Sequence, residues 1–128
     1  MKKIIDPKVW VELAEQHYLL AKVSYQHKPR LSYGVCYHAN RCISAYLKAT
    51  LIRAGEVFPG THDLVYLKNL CYKSGVVLEF SNDDLDMLAE LGSRVHNPTN
   101  TISNSELIEA YNIASDLRRK LRKLLNIY

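Results

Sequence analysis

Residues 31–55, LSYGVCYHANRCISAYLKATLIRAG, decide the fold. Cys36, Ala39, Ile43, Tyr46 or Leu47, Thr50 and Ala54 recur at steps of three and four, the spacing that lines one face of an α-helix. His38, Asn40 and Arg41 interrupt that apolar stripe along its flank. The segment therefore reads as a core helix with polar groups at its edge, part scaffold and part candidate site, stopping at Gly55.

Toward the N-terminus, Asp6-Pro7 supplies a cap followed by a first-turn proline. Trp10, Leu13 or Ala14, His17, Leu20 or Ala21 and Ser24 then keep helical spacing to about residue 26. Pro29 breaks the pattern, because it has no backbone N–H and disfavours helical geometry in the residue before it. Beyond Gly55, Pro59-Gly60 marks a turn and Thr61 an N-cap. A short helix with Leu64, Leu67, Leu70 and Cys71 follows and is closed by Gly75.

Residues 76–80, VVLEF, are β-like but have no second strand to pair with, so they read as an extended connection packed on helices. Ser81 and Asn82 cap a fourth helix, whose Asp83, Asp84 and Asp86 suit the unsatisfied amides of a first turn. Ser103 and Glu106 form an S-x-x-E capping box for a last helix with Leu107, Ala110 or Tyr111, Ala114, Leu117, Leu121 and Leu124 as its buried stripe. The expected fold is all-α: an antiparallel up-and-down bundle of about five helices, forming one domain over residues 1–128.

Hydrophobic residues at 48% and charged residues at 23% match an ordinary globular chain. No apolar run approaches the roughly 20 residues needed to span a bilayer, and Asp6 and Pro7 arrive before a signal-peptide core develops, so a cytoplasmic protein without membrane contact is expected. Cys36, Cys42 and Cys71 are odd in number and read as reduced, mostly buried thiols. No Cys-x-x-Cys or His-x-x-x-His occurs, and neither a metal nor a cofactor is expected. Nucleotide-binding glycine loops and a G-x-S-x-G elbow are absent as well.

The net charge of +4 is concentrated in RRKLRK at residues 118–123, which holds five of the 17 basic residues and leaves 12 basic against 13 acidic elsewhere. This run reads either as a phosphate-contacting patch or as a final helical turn whose cations complement the helix dipole. Chemistry-bearing residues gather at four further places: His38, Asn40 and Arg41; His62 and Asp63; Arg94, His96 and Asn97; and Arg30 with Tyr33. Arg94 and His96 are the candidate catalytic pair, since an adjacent guanidinium keeps a histidine neutral as a base while itself holding a phosphate. His38, Asn40, Arg41, His62 and Asn97 are the candidate ligand-binding residues. His17 reads as a hydrogen-bonded core histidine and His27 as loop surface.

Tyr33-x-x-Cys36-Tyr37-His38-Ala39-Asn40-Arg41-Cys42, then Tyr46-Leu47-Lys48-Ala49-Thr50-Leu51, Gly55 and Phe58-Pro59-Gly60-Thr61-His62-Asp63-Leu64, resemble the HEPN domain family (higher eukaryotes and prokaryotes nucleotide-binding). The resemblance runs from near Trp10 into the last helix. It implies a helical bundle that commonly dimerises and that often partners a minimal nucleotidyltransferase in a toxin–antitoxin-like pair. Ribonuclease members carry an arginine four to six residues before a histidine, whereas residues 89–91 here are Ala, Glu and Leu and Arg94 stands only two before His96. Other members end this segment in R-Y-P, and Arg94 to Pro98 resembles a lengthened form of that noncatalytic ending. The expected function is nucleotide or RNA binding as a homodimer. Its alternatives are a metal-independent RNA endonuclease using Arg94 and His96, and a structural helical adaptor.

Overall fold

The computed structural model describes residues 6–127, in which five α-helices follow one another. The first five residues, which the expectation about a signal peptide includes, lie outside that range. The helices are α1 (Pro7–Gln26), α2 (Ser32–Arg53), α3 (Leu64–Lys73), α4 (Asn82–Arg94) and α5 (Asn104–Leu124). The described residues contain no strand, and residues 76–80 form an extended connection whose Leu78 is buried. No helix is long and apolar enough to cross a membrane among the described residues.

Helix α2 is the axis of the bundle and packs against all four other helices. Its residues from Cys42 to Leu51 are buried without interruption, because neighbours surround it on every side. The amphipathic stripe read from its sequence is thus one side of a nearly enclosed helix. Leu64 and Leu67 from α3, Leu85, Leu88 and Leu91 from α4, and Leu107, Leu117 and Leu121 from α5 complete the core around Ile43, Tyr46 and Leu47. All three cysteines are free and buried.

Local chemistry sets the helix ends. Asp6 accepts from the Lys8 amide, Ser81 from Asp84, and Ser103 with Glu106 forms the full reciprocal capping box. At α3 the cap is displaced from its expected residue. Asp63 is the N-cap, accepting from the Tyr66 amide, while Thr61 Oγ1, two residues earlier, accepts from the Asp63 amide.

Helix α1 bears its small residues Ala14, Ala21 and Ser24 inward, which lets it lie close to α2. A Cβ on Gly34 would collide with the Ser24 side chain, so the glycine is what permits this approach. The bundle is also tied across α1, α2 and α5 by polar groups. Glu15 accepts hydrogen bonds from Tyr46 Oη and from Arg118, whose Nε and Nη2 stand at 2.7 and 2.6 Å, and Arg122 lies 3.4 Å away.

Candidate functional site

Helix α3 has only ten residues, and its start lies at the same end of the bundle as the end of α4. A cleft of about 340 Å³ opens there. Helix α2 contributes Tyr37, Asn40 and Arg41, the turn before α3 contributes His62 and Asp63, and α4 with the residues after it contributes Ala89, Gly92, Ser93 and His96. Four of the seven site candidates from the sequence, Asn40, Arg41, His62 and His96, therefore meet in one place.

Each plays a different part. Asn40 is 8% exposed and its Nδ2 donates to the Leu88 carbonyl oxygen at 3.1 Å, which fixes α2 against α4 and forms the floor of the cleft. Arg41 lies one helical turn after Tyr37 with its guanidinium 4.9 Å from the ring centroid, a cation–π contact that holds the charge at the cleft wall. No carboxylate forms an ion pair with Arg41 among the described residues. Asp63 is the one carboxylate in the lining, and its Oδ1 is engaged in capping α3.

His62 has its outer edge in solvent and its Nδ1 3.1 Å from Ser44 Oγ. Lost hydration on its inner side, reinforced by the positive charges of Lys48, Arg41 and His17, pushes its pKa down to about 4. The ring is neutral at pH 7. His96 is exposed at the mouth of the same cleft.

The remaining three candidates lie outside this lining. His38 faces α1, its Nδ1 2.9 Å from Nδ1 of His17, and burial lowers the pKa of both rings. His17 is accordingly half-buried beside another histidine at the bundle's edge rather than in the core. Asn97 accepts from the amide and the hydroxyl of Thr99 and serves the turn. Arg94 is turned toward α5. It pairs with Glu90 at 2.7 Å and with Glu106 at 3.0 Å, and donates to the Thr101 carbonyl oxygen at 3.1 Å.

The other polar places have structural work. Arg30 donates from Nε to the Tyr25 carbonyl oxygen and lies over the Tyr25 ring, and the Tyr33 hydroxyl reaches carbonyl oxygens of the 97–100 turn. In the basic run, Arg118 and Arg122 hold Glu15, while Arg119 and Lys120 pair with Asp116. Four of the run's five cations are thus in ion pairs within the chain. No group of three or more His, Cys, Asp or Glu side chains is arranged to hold a metal ion among the described residues.

Sequence reading passed over Tyr37 and Gly92. Tyr37 was detectable as an aromatic residue four before an arginine on a helix, a pair that shares one face. Gly92 was detectable as a lone glycine inside a helical pattern, which marks close approach of another element. Comparison with family models gives a match to the HEPN domain over residues 7–126. No curated protein matches the chain.

Proposed function

The chain belongs to the HEPN domain family, whose function is nucleotide- or RNA-related, and from that premise we propose that it binds nucleotide or RNA in the cleft between α2, α3 and α4 without cleaving it. The supporting observation is the convergence of Arg41, His62 and His96 on one cleft, with Tyr37 stacked beneath an arginine that has no carboxylate partner among the described residues. A guanidinium left available beside an aromatic face suits a phosphate next to a base. Arg94 serves the noncatalytic reading by its engagement: both of its sides are occupied by carboxylates, so it is not free to hold a scissile phosphate beside His96.

On the same reading, residues 1–128 act as one domain, as a homodimer in the cytoplasm and as the partner of a minimal nucleotidyltransferase in a toxin–antitoxin-like pair. The resemblance of residues 33–64 to the family pattern supports this assignment, and sedimentation of the purified protein alone and with a candidate partner tests it.

The function is tested by fluorescence anisotropy with a labelled single-stranded RNA and by competition with mononucleotides. Saturable binding that weakens as salt rises is expected, and Arg41→Gln weakens it about tenfold, the effect of one charge-assisted contact. Absence of binding to every RNA and nucleotide tried overturns the reading. Incubation of RNA with concentrated protein and a chelator is expected to leave it intact. Metal-independent cleavage abolished by His96→Ala would establish the endonuclease instead.

A further inference from the structure

Among the described residues two lysines are buried, and they are treated differently. Lys68, 4% exposed, donates from Nζ to the Phe80 carbonyl oxygen at 2.9 Å and to Asn82 Oδ1 at 2.8 Å. That is how a structural lysine is accommodated, its charge held by oxygen acceptors. Lys48 is equally buried at 4% exposure, yet among the described residues its ammonium has no hydrogen-bond acceptor and no carboxylate partner.

Aromatic rings hold it instead. Nζ stands 5.1 Å from the ring centroid of Trp10 on α1 and 5.8 Å from that of Phe58 in the connection before α3, and the two rings meet edge to face at 5.8 Å. Trp10 Nε1 is itself buried and meets no acceptor among the described residues. Trp10 Nε1 is therefore a buried donor without an acceptor, and the Lys48 ammonium beside it meets aromatic rings rather than a carboxylate among the described residues. Burial opposes the charge of Lys48, and Arg41 opposes it further.

Arg41 and His62 are within the electrostatic reach of Lys48. Arg41 lies on its own helix and His62 on the turn that follows Phe58, and the positive charge of Lys48 is felt at His62. Asp63 is the carboxylate of the cleft lining, and its Oδ1 accepts from the Tyr66 amide in capping α3. The neutral His62 ring shares Nδ1 with the Ser44 hydroxyl and carries a single N–H, which stands on Nε2 in the tautomer that accepts from Ser44. A guanidinium in the cleft lining and an ammonium behind it, neither paired with a carboxylate among the described residues, suit a multiply charged anion.

We propose that Arg41 and His62, backed by the buried charge of Lys48, form a subsite for a phosphomonoester: the terminal phosphate of a mononucleotide or of an RNA strand. The inference rests on the nucleotide- or RNA-binding function proposed above and specifies which part of the ligand the inner end of the cleft selects. Two arguments favour an end over an internal phosphate. A monoester carries about −1.5 to −2 charges at pH 7, against one for a diester, which suits the two positive charges of Arg41 and Lys48, neither of them ion-paired among the described residues. Lys48 is also set back from the residues that line the cleft, so a phosphate that ends its chain approaches its charge more closely than one flanked by sugars on both sides.

The subsite is tested in three arms on the full chain. Inorganic phosphate added at constant ionic strength is expected to raise Tm and to shift the His62 ring-nitrogen resonances of the wild-type protein, whereas chloride does neither. No response to phosphate overturns the subsite, whatever the RNA results. Next, a 5′-phosphorylated RNA is compared with its 5′-hydroxyl twin and with a 3′-phosphorylated one, and AMP with adenosine. About a tenfold preference for one phosphorylated form is expected, corresponding to one or two charge-assisted contacts. A preference confined to AMP assigns the site to mononucleotides, and one shared with an oligonucleotide assigns it to strand ends.

Equal binding of phosphorylated and unphosphorylated ligands overturns the subsite while leaving the RNA-binding function standing. A response to inorganic phosphate with no nucleotide or RNA bound supports the subsite and overturns that function. Finally, Lys48→Met and Arg41→Gln are each expected to reduce the preference to near unity. Preference retained in folded Lys48→Met shows Lys48 to be structural and overturns its part in the site. Where Lys48→Met does not fold, Arg41→Gln tests the subsite itself, and a preference retained in that variant overturns it.

Discussion

The side-chain amide of Asn40 occupies the space that a Cβ on Gly92 would need: built there, that carbon would stand 2.6 Å from Nδ2 and 2.9 Å from Cγ. Nδ2 in turn donates to the carbonyl oxygen of Leu88, one turn earlier on α4. Helices α2 and α4 thus meet through a buried amide against bare backbone, and this contact is the floor of the cleft. Gly92→Ala forces one of the two helices to move. Overpacking of a buried site costs about 1–3 kcal/mol, against which a helical alanine returns about 1 kcal/mol of propensity. A net loss of stability in urea denaturation is expected, and Asn40→Ala in the same chain should recover part of it. Gly92→Ala as stable as wild type would show that the contact yields freely.

Arg94 is held to Glu90 and Glu106 and, through Glu106, to the capping box of α5. Glu90 and then Glu106 favour its charged form, which the fold uses to join the end of α4 to the start of α5. Arg94→Met is therefore expected to lower Tm while leaving RNA affinity within about twofold, well below the effect of one lost charge-assisted contact. Arg41→Gln and His96→Ala should do the reverse. Thermal melts and anisotropy on the three variants separate the roles, and Arg94→Met that lost binding at unchanged Tm would return Arg94 to the site.

The five helices were legible because their signals are local: Asp6-Pro7, Ser81 and the Ser103–Glu106 pair each sit beside the amides they cap. The site was legible only as a set of residue types. Arg94 and His96 are two apart in sequence, which on a helical turn sends their side chains to different sides, and the distant Glu106 decides the direction of Arg94. Lys48 gave no sign of its burial, because its surroundings come from Trp10 and Phe58, remote on either side. His17 and His38 are 21 residues apart and became a pair only when α1 and α2 crossed.

That pair makes stability sensitive to acid. The facing Nδ1 atoms, 2.9 Å apart, require one ring to donate and the other to accept, so no more than one of the two rings carries a second proton. Burial depresses the pKa of His17, His38 and His62 below 6.5, with Arg41 and His38 adding to the effect at His17. The unfolded chain then binds protons first as pH falls. Stability is expected to be level above about pH 7 and to decline as pH drops below the unfolded histidine value of about 6.5, with the His62 contribution complete near 4. Tm measured between pH 8 and 5 tests this, and His17→Asn combined with His38→Asn should flatten the decline. A Tm that rose on acidification over that range would refute the assignment.

Glu15 governs a second, more acidic window. Burial works against its ionisation, but the hydrogen bonds from Arg118 and Tyr46 and the charges of Arg118 and Arg122 outweigh it and hold the carboxyl below its ordinary value. A depressed carboxylate contributes stability that is complete above about pH 4.5 and is lost as pH falls through the lowered value. Glu15→Gln keeps the shape of the side chain but leaves Arg118 and Arg122, each about three-quarters buried, without their counter-charge. The expected cost at pH 7 is about 2–3 kcal/mol in urea denaturation, since breaking a partly buried ion pair strands its partner. Below pH 4 the difference between variant and wild type should narrow, because the wild-type carboxyl is then also losing its charge. The same pairing makes these two arginines poor contributors to RNA binding. Arg118→Gln should lower stability while leaving the salt dependence of RNA affinity unchanged, and a shallower salt slope in that variant would mean that the C-terminal run reaches phosphate after all.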